Sequence, residues 1–204
     1  MAPRIAATPS SAKLGLRERK KAKTEATIRR HAIRLFRRYG YTATTVEQIA
    51  DAAEIAHSTF FRYFPTKEAL LFNDAEEQAI VTSFRQFLPD SAPIQAVSRA
   101  MQALVGNMSP EELKDIQARS AIIFATPELA GPLQNYKLAS TRLMAELIAE
   151  QYNRPSGSLE INIFVGAIQG TRIAVMTYWG EHPDIDIAST WQEAFDLLEK
   201  GMPL

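Results

Sequence analysis

Apolar residues recur at helical spacing through nearly the whole chain. From Thr24 to Tyr39 the residues Ile28, Ala32, Leu35, Phe36 and Tyr39 form one stripe, and Gly40 comes after it as a C-cap signal. Val46, Ile49 and Ala50 start a second stripe, which breaks at Ala53-Glu54-Ile55 before Ala56, Phe60 and Phe64 recur at intervals of four. Both segments are too short to be helical alone in water. The pattern therefore predicts two short helices joined by a tight turn, with Ile49, Ile55 and Phe60 in a shared core. Pro65 cannot continue the second helix, and Thr66 can cap the next one. Lys67 to Leu88 then predicts one long helix with Leu70, Leu71, Ile80, Val81, Phe84, Phe87 and Leu88 inward.

The rest is helical with clear punctuation. A break at Pro89 to Pro93 precedes a stripe of Ile94, Val97, Met101, Leu104 and Val105. Ser109-Pro110-Glu111-Glu112 is a capping box with proline at the first helical position. Thr126-Pro127 opens another helix, which Gly131 and Pro132 are expected to interrupt before it resumes to the loop at Asn153. Leu159 to Trp179 is apolar on nearly every face and must be covered all round, while the helix around Ile187 to Lys200 has one apolar stripe. Strand signals are almost absent. The expected fold is all-α with about nine helices.

Charge divides this pattern in two. Residues 1–70 hold 14 Lys and Arg against 6 Asp and Glu, a net +8, and the remainder carries −8. A basic head on an acidic body has the electrostatic footprint of a polyanion-binding module. Residues 1–16 lack periodicity and are expected to form a disordered arm. The run Arg17, Arg19, Lys20, Lys21 and Lys23 either tracks a DNA backbone or minor groove, or is a solvated tail. The chain has no cysteine, which excludes disulfides, thiolate metal sites and cysteine nucleophiles. No apolar run reaches the length of a membrane span, so a cytoplasmic protein without membrane contact is expected.

Around Ile49, Ile55 and Phe60, the short helical pair leaves His57, Ser58, Thr59, Phe61, Arg62 and Tyr63 outside, with Lys67 just beyond. Donors, cations and aromatics on the second of two short helices suit a recognition helix, although a structural αα-corner would share the apolar pattern. The run Ser58-Thr59-Phe60-Phe61-Arg62-Tyr63-Phe64-Pro65-Thr66-Lys67-Glu68-Ala69-Leu70, after Thr45-Val46 and the tight turn, resembles the TetR family of bacterial repressors. The resemblance implies a helix-turn-helix head over residues 17–72, an effector-binding and dimerising body over 73–204, and a nucleoid-associated homodimer on double-stranded operator DNA. It implies DNA contacts from Thr45, His57, Ser58, Thr59, Phe61, Arg62, Tyr63 and Lys67, the last on phosphate. Two positions depart from the family. Glu54 stands where glycine is usual and is asked to take a positive φ, and Phe61 replaces a tyrosine.

The three histidines stand in no nucleophile or metal spacing and no glycine-rich phosphate loop occurs, so neither catalysis nor a cofactor is expected. Arg119, Asn162, Gln169 and Arg172 lie inside apolar helices. They either line a ligand pocket walled by Phe84, Phe124, Tyr136 and Tyr178, or bond to neighbouring helix ends. Arg119 to Leu129 and Gly166 to Trp179 also resemble regulators of acyl-CoA-like ligands, implying a small apolar or amphipathic effector. Phe164, Ile168, Trp191, Phe195 and Leu198 are expected in the homodimer interface, with Gly166 and Gly170 permitting close helix approach. A constitutive DNA-binding or architectural protein remains the alternative function.

Overall fold

The computed structural model describes residues 15–202, so the predicted arm falls almost wholly outside the described residues. Among these residues there are nine α-helices and no strands: α1 Leu16–Tyr39, α2 Val46–Ala52, α3 His57–Tyr63, α4 Asp74–Phe87, α5 Pro93–Gly106, α6 Pro110–Ala125, α7 Ala130–Tyr152, α8 Leu159–Glu181 and α9 Ile187–Glu199. The all-α prediction holds. The described residues fold as two compact units, divided between Phe72 and Asn73.

In the first unit α1 begins earlier than its apolar stripe, so Arg17 to Lys23 are helical. Gly40 closes α1 at φ +87°, a conformation cheap only for glycine. Thr45 caps α2: its hydroxyl accepts from Gln48 N at 3.3 Å, while its own N–H donates to Gln48 Oε1 at 2.9 Å. Glu54 takes φ +54°, as the missing glycine predicts. Ile28, Ala32, Phe36, Ile49, Phe60, Phe64 and Leu70 form the core, whereas Tyr39 is exposed. Arg29 is also drawn in, donating to Leu70 O at 3.0 Å.

The long helix predicted from Lys67 is two elements. A single 3-10 turn at Glu68–Leu70, capped by Thr66, ends before α4 starts at Asp74. Asn73 fixes the restart, since its Oδ1 accepts from Ala75 N at 3.2 Å and its N–H donates to the Tyr136 hydroxyl at 3.0 Å. A stripe that keeps phase across this break concealed it.

In the second unit Phe84, Val97, Met101, Met144, Val165, Ile168, Trp179, Trp191 and Phe195 belong to one core shared by α4, α5, α7, α8 and α9. The Ser109–Glu112 capping box forms as read. Gly131 and Pro132 do not interrupt α7, because they sit in its first turn, where a missing N–H costs little. By length and composition α8 could cross a membrane, contrary to expectation, but here it is a core helix packed on α6, α7 and α9. Nor is it covered all round: Leu159 is 72% and Ile163 62% exposed, with Ile173 and Tyr178 also in solvent. Gly166 and Gly170 share this open face, with no neighbour within 4 Å of an added Cβ. Close helix approach occurs instead at Gly180, where a Cβ would lie 3.1 Å from the Ala121 backbone.

Candidate nucleic-acid interface and buried polar cluster

In the first unit α2 and α3 meet through buried Ile49 and Phe60. The opposite face of α3 presents His57, Ser58, Phe61 and Arg62 to solvent, with Thr59 and Tyr63 half-buried. These side chains are already arranged among themselves. The His57 ring stands edge-on to Phe61 at 5.0 Å, and Arg62 lies over Tyr63 at 5.3 Å. His57 Nε2 is 3.1 Å from Glu47 Oε1 on α2, so any base contact by His57 competes with this pair. Glu47 was not singled out in the sequence, although an acid in the first turn of α2 is well placed to meet the recognition helix.

Lys67 requires a correction. Its ammonium donates to Tyr41 O at 2.9 Å and Thr44 O at 3.0 Å and lies 4.1 Å from the Tyr41 ring centroid. Burial lowers its pKa. Two of its three protons thus tie down the α1–α2 connection, a structural role that the predicted phosphate contact did not include. Thr45 stays exposed, though its hydroxyl oxygen serves the α2 cap.

In the second unit the predicted pocket residues separate. Asn162 is exposed and donates to Ser158 O at 2.8 Å, and Tyr178 is exposed beside His182 at 4.1 Å, so neither lines an interior pocket. Phe84 is buried core and Phe124 half-buried. Arg119, Tyr136, Gln169 and Arg172, however, gather around the first turn of α4. Arg119 binds Glu76 Oε1 at 2.5 Å and Asp115 at 2.9 Å. Arg172 binds Glu77 Oε1 at 2.6 Å and Gln169 Oε1 at 3.0 Å, while Lys137 reaches the same Glu77 oxygen at 3.0 Å. Glu76, Glu77 and Lys137 were missed, because partners 43 to 95 positions away leave no local pattern, whereas Asp115 lies only four positions before Arg119.

One carboxylate oxygen between two cations sets the electrostatics. Burial opposes ionisation of Glu77, but Arg172 and Lys137 overcome this and hold its pKa at about 2. Lys137 moves the other way, to about 8, because burial and the adjacent Arg172 outweigh Glu77. At Glu77 two cations meet a single carboxylate. Burial also raises the Tyr136 pKa, with Glu77 adding to it. Gln169 Nε2 and Glu77 Oε2 are buried without a hydrogen-bond partner, though Ser140 also helps to hold Glu77 ionised. Elsewhere in this unit a groove of about 290 Å³ runs between α5 and α9, bridged by Gln95–Glu199 and Gln102–Gln192 hydrogen bonds.

Three of the five predicted dimer residues also need correction. Ile168, Trp191 and Phe195 are 0%, 1% and 2% exposed and pack into their own chain's core. Phe164 and Leu198 are half-buried against it. An apolar stripe announces burial without saying against which chain.

Comparison with known proteins decides the family. Residues 28–73 match the bacterial regulatory proteins of the tetR family, and residues 91–203 match the MftR C-terminal domain. The chain belongs to the TetR family of transcriptional regulators. TcmR of Streptomyces glaucescens, an HTH-type transcriptional regulator, is 38% identical over 71% of this chain, although the match spans only 65% of TcmR. MftR of Mycobacterium tuberculosis, a regulator assigned to mycofactocin biosynthesis, is 25% identical over 90% of this chain and 93% of its own. Among solved structures, Thermus thermophilus FadR, a TetR family repressor in complex with lauroyl-CoA, superposes with TM-score 0.56 at 23% identity, covering 88% of this chain and 95% of that one. The helix-turn-helix is thus the DNA-binding part of a transcription regulator, and regulators of this family are not enzymes.

Proposed function

We propose that this regulator is a homodimeric repressor that a small apolar or amphipathic ligand releases from a pseudo-palindromic operator. The observation that carries the reading is the outer face of α3, where His57, Ser58, Phe61 and Arg62 stand exposed on a unit rich in solvated arginine. Arg62 and His57 read base edges, and Ser58, Thr59, Tyr63 and Thr45 fix the backbone. A single head reaches too few base pairs for a genomic site, whereas two heads about 34 to 36 Å apart read successive major grooves.

The second copy docks on the open face of α8. Leu159, Ile163, Gly166, Gly170 and Ile173 form an exposed apolar stripe on a helix otherwise buried in the core, and the two glycines let a partner helix approach. The protein works in the cytoplasm, on the nucleoid. That the solved relative carries lauroyl-CoA supports an acyl-CoA-like effector. Genomic fragments captured by the protein should share one inverted repeat, and sedimentation should give a dimer that Ile163→Glu splits while helicity stays unchanged. Capture without sequence preference, or a protein that no metabolite or extract releases from the repeat, would favour a constitutive architectural role.

A further inference from the structure

The polar cluster of the second unit has more donors than its acceptors use. Arg172 offers five N–H groups, Lys137 three and Gln169 two. The acceptors in use among them are Glu77 Oε1, shared by both cations, and Gln169 Oε1, while Glu77 Oε2 takes no donor from this group. Gln169 is only 9% and Arg172 3% exposed, and Gln169 Nε2 donates to nothing. Gln169 stands where an apolar residue would fit the buried helix face, and is instead polar, buried and incompletely satisfied. Lys137 of α7 and Gln169 and Arg172 of α8 converge on a point filled by a residue of α4. Across the cluster Arg119 faces two carboxylates, Glu76 and Asp115, whereas Lys137 and Arg172 share one.

We propose that Arg172, Lys137 and Gln169 form an anion subsite which Glu77 occupies as an internal stand-in, and that the carboxylate or comparable oxyanion of an effector exchanges with it. The ligand class follows from the donors. A planar guanidinium, an ammonium and an amide N–H suit a single oxyanion with two or three acceptor oxygens. Glu77 supplies one oxygen to both cations, so an incoming anion can satisfy the remaining donors, Gln169 Nε2 included. Exchange frees a carboxylate in the first turn of α4, the first helix of the second unit. This inference rests on the ligand-sensing reading above and adds the charge of the effector to it.

The direct test removes the stand-in. In Glu77→Gln, replacing chloride by formate at equal ionic strength should raise the melting temperature by several degrees, while the wild type and the Glu77→Gln/Lys137→Gln double variant should shift by a degree or less. No formate-specific shift would overturn the proposal. The second arm uses Lys137→Gln, which keeps the Glu77–Arg172 pair. By calorimetry the wild type should prefer decanoate over decanol at least tenfold, and the variant should lose most of that preference. An undiminished preference also overturns the subsite. Operator release separates the two readings. Decanoate held through these groups but leaving the operator complex intact contradicts sensing and supports the subsite. Decanol releasing the operator as well as decanoate overturns the subsite and supports sensing.

Discussion

In the first unit Arg30, Arg34, Arg37, Arg38 and Arg62 stand in solvent, and the lysine that turns inward, Lys67, meets backbone carbonyls. In the second unit Arg119, Lys137 and Arg172 are withdrawn from water onto three carboxylates, while the open face of α8 is apolar. The same residue types thus do opposite work. Solvated cations add little to stability and remain available to a polyanion. Buried cations are committed to specific acceptors, and losing one strands the other. Replacing a charge should cost the first unit binding and the second unit stability.

The sharpest break in that comparison is Arg172→Met against Arg62→Ala. Arg172→Met leaves Glu77 with Lys137 alone and should lower unfolding free energy by about 3–5 kcal/mol, the usual penalty for breaking a buried pair. Arg62→Ala should change stability by less than about 0.5 kcal/mol yet relax operator preference by about 1–3 kcal/mol. Urea unfolding and operator titration of both variants check this. Equal stability losses would erase the contrast.

Acid should select the second unit. The folded pKa of Glu77, about 2, lies below its ordinary 4.5, so its contribution is complete above pH 4.5 and disappears as pH falls towards 2. The amount is on the order of 3 kcal/mol. Lys137 has the opposite sign of effect: charged and buried below pH 8, it destabilises the fold, and stability recovers between pH 8 and 10.5 as the folded form releases its proton first. The groups facing it are Glu76 and Glu77 of α4 and Arg172 of α8. Stability measured across pH should show an acid limb that Glu77→Gln flattens and an alkaline rise that Lys137→Met removes.

Lys67 joins the two modes of using charge. If its ammonium serves the Tyr41 and Thr44 carbonyls, Lys67→Met should destabilise the first unit by about 1–3 kcal/mol, because buried acceptors lose their donor. The dependence of operator affinity on salt should hardly change. A slope reduced by about 0.9 per head, with stability intact, would return Lys67 to phosphate.

Much of the fold could be read because its signals are local. The capping boxes at Thr45 and Ser109, Gly40 at the end of α1 and the Glu54 turn each need only a few neighbouring residues. What could not be read depends on distance. Lys67 finds acceptors 23 and 26 residues away, and Arg172 finds Glu77 95 residues away. The outer face of α3 follows from Ile49 and Phe60 alone, so the candidate recognition surface is legible. The facing of Trp191 and Phe195 is not, since their stripe would suit either their own core or a partner. The break at Asn73 stood in plain view as an Asn-Asp cap, hidden by apolar residues that keep their phase across it.

The smallest effect concerns the turn that both readings of the first unit depend on. Glu54 N–H donates to Asp51 O at 3.1 Å and Ile55 N–H to Ala50 O at 3.0 Å, which closes α2 and aims α3. This requires φ +54° at Glu54, where a Cβ crowds the following carbonyl. Glycine removes that strain but adds entropy to the unfolded chain, and where φ is positive the first term wins. Glu54→Gly should therefore stabilise the protein by about 0.5–1 kcal/mol, whereas Glu54→Ala, which keeps the Cβ, should give no gain. Removing this carboxylate from the basic unit should also tighten operator binding slightly at low salt, equally in both variants, since the charge is lost in each. A gain in stability shared by glycine and alanine would mean that charge, not backbone strain, governs the turn.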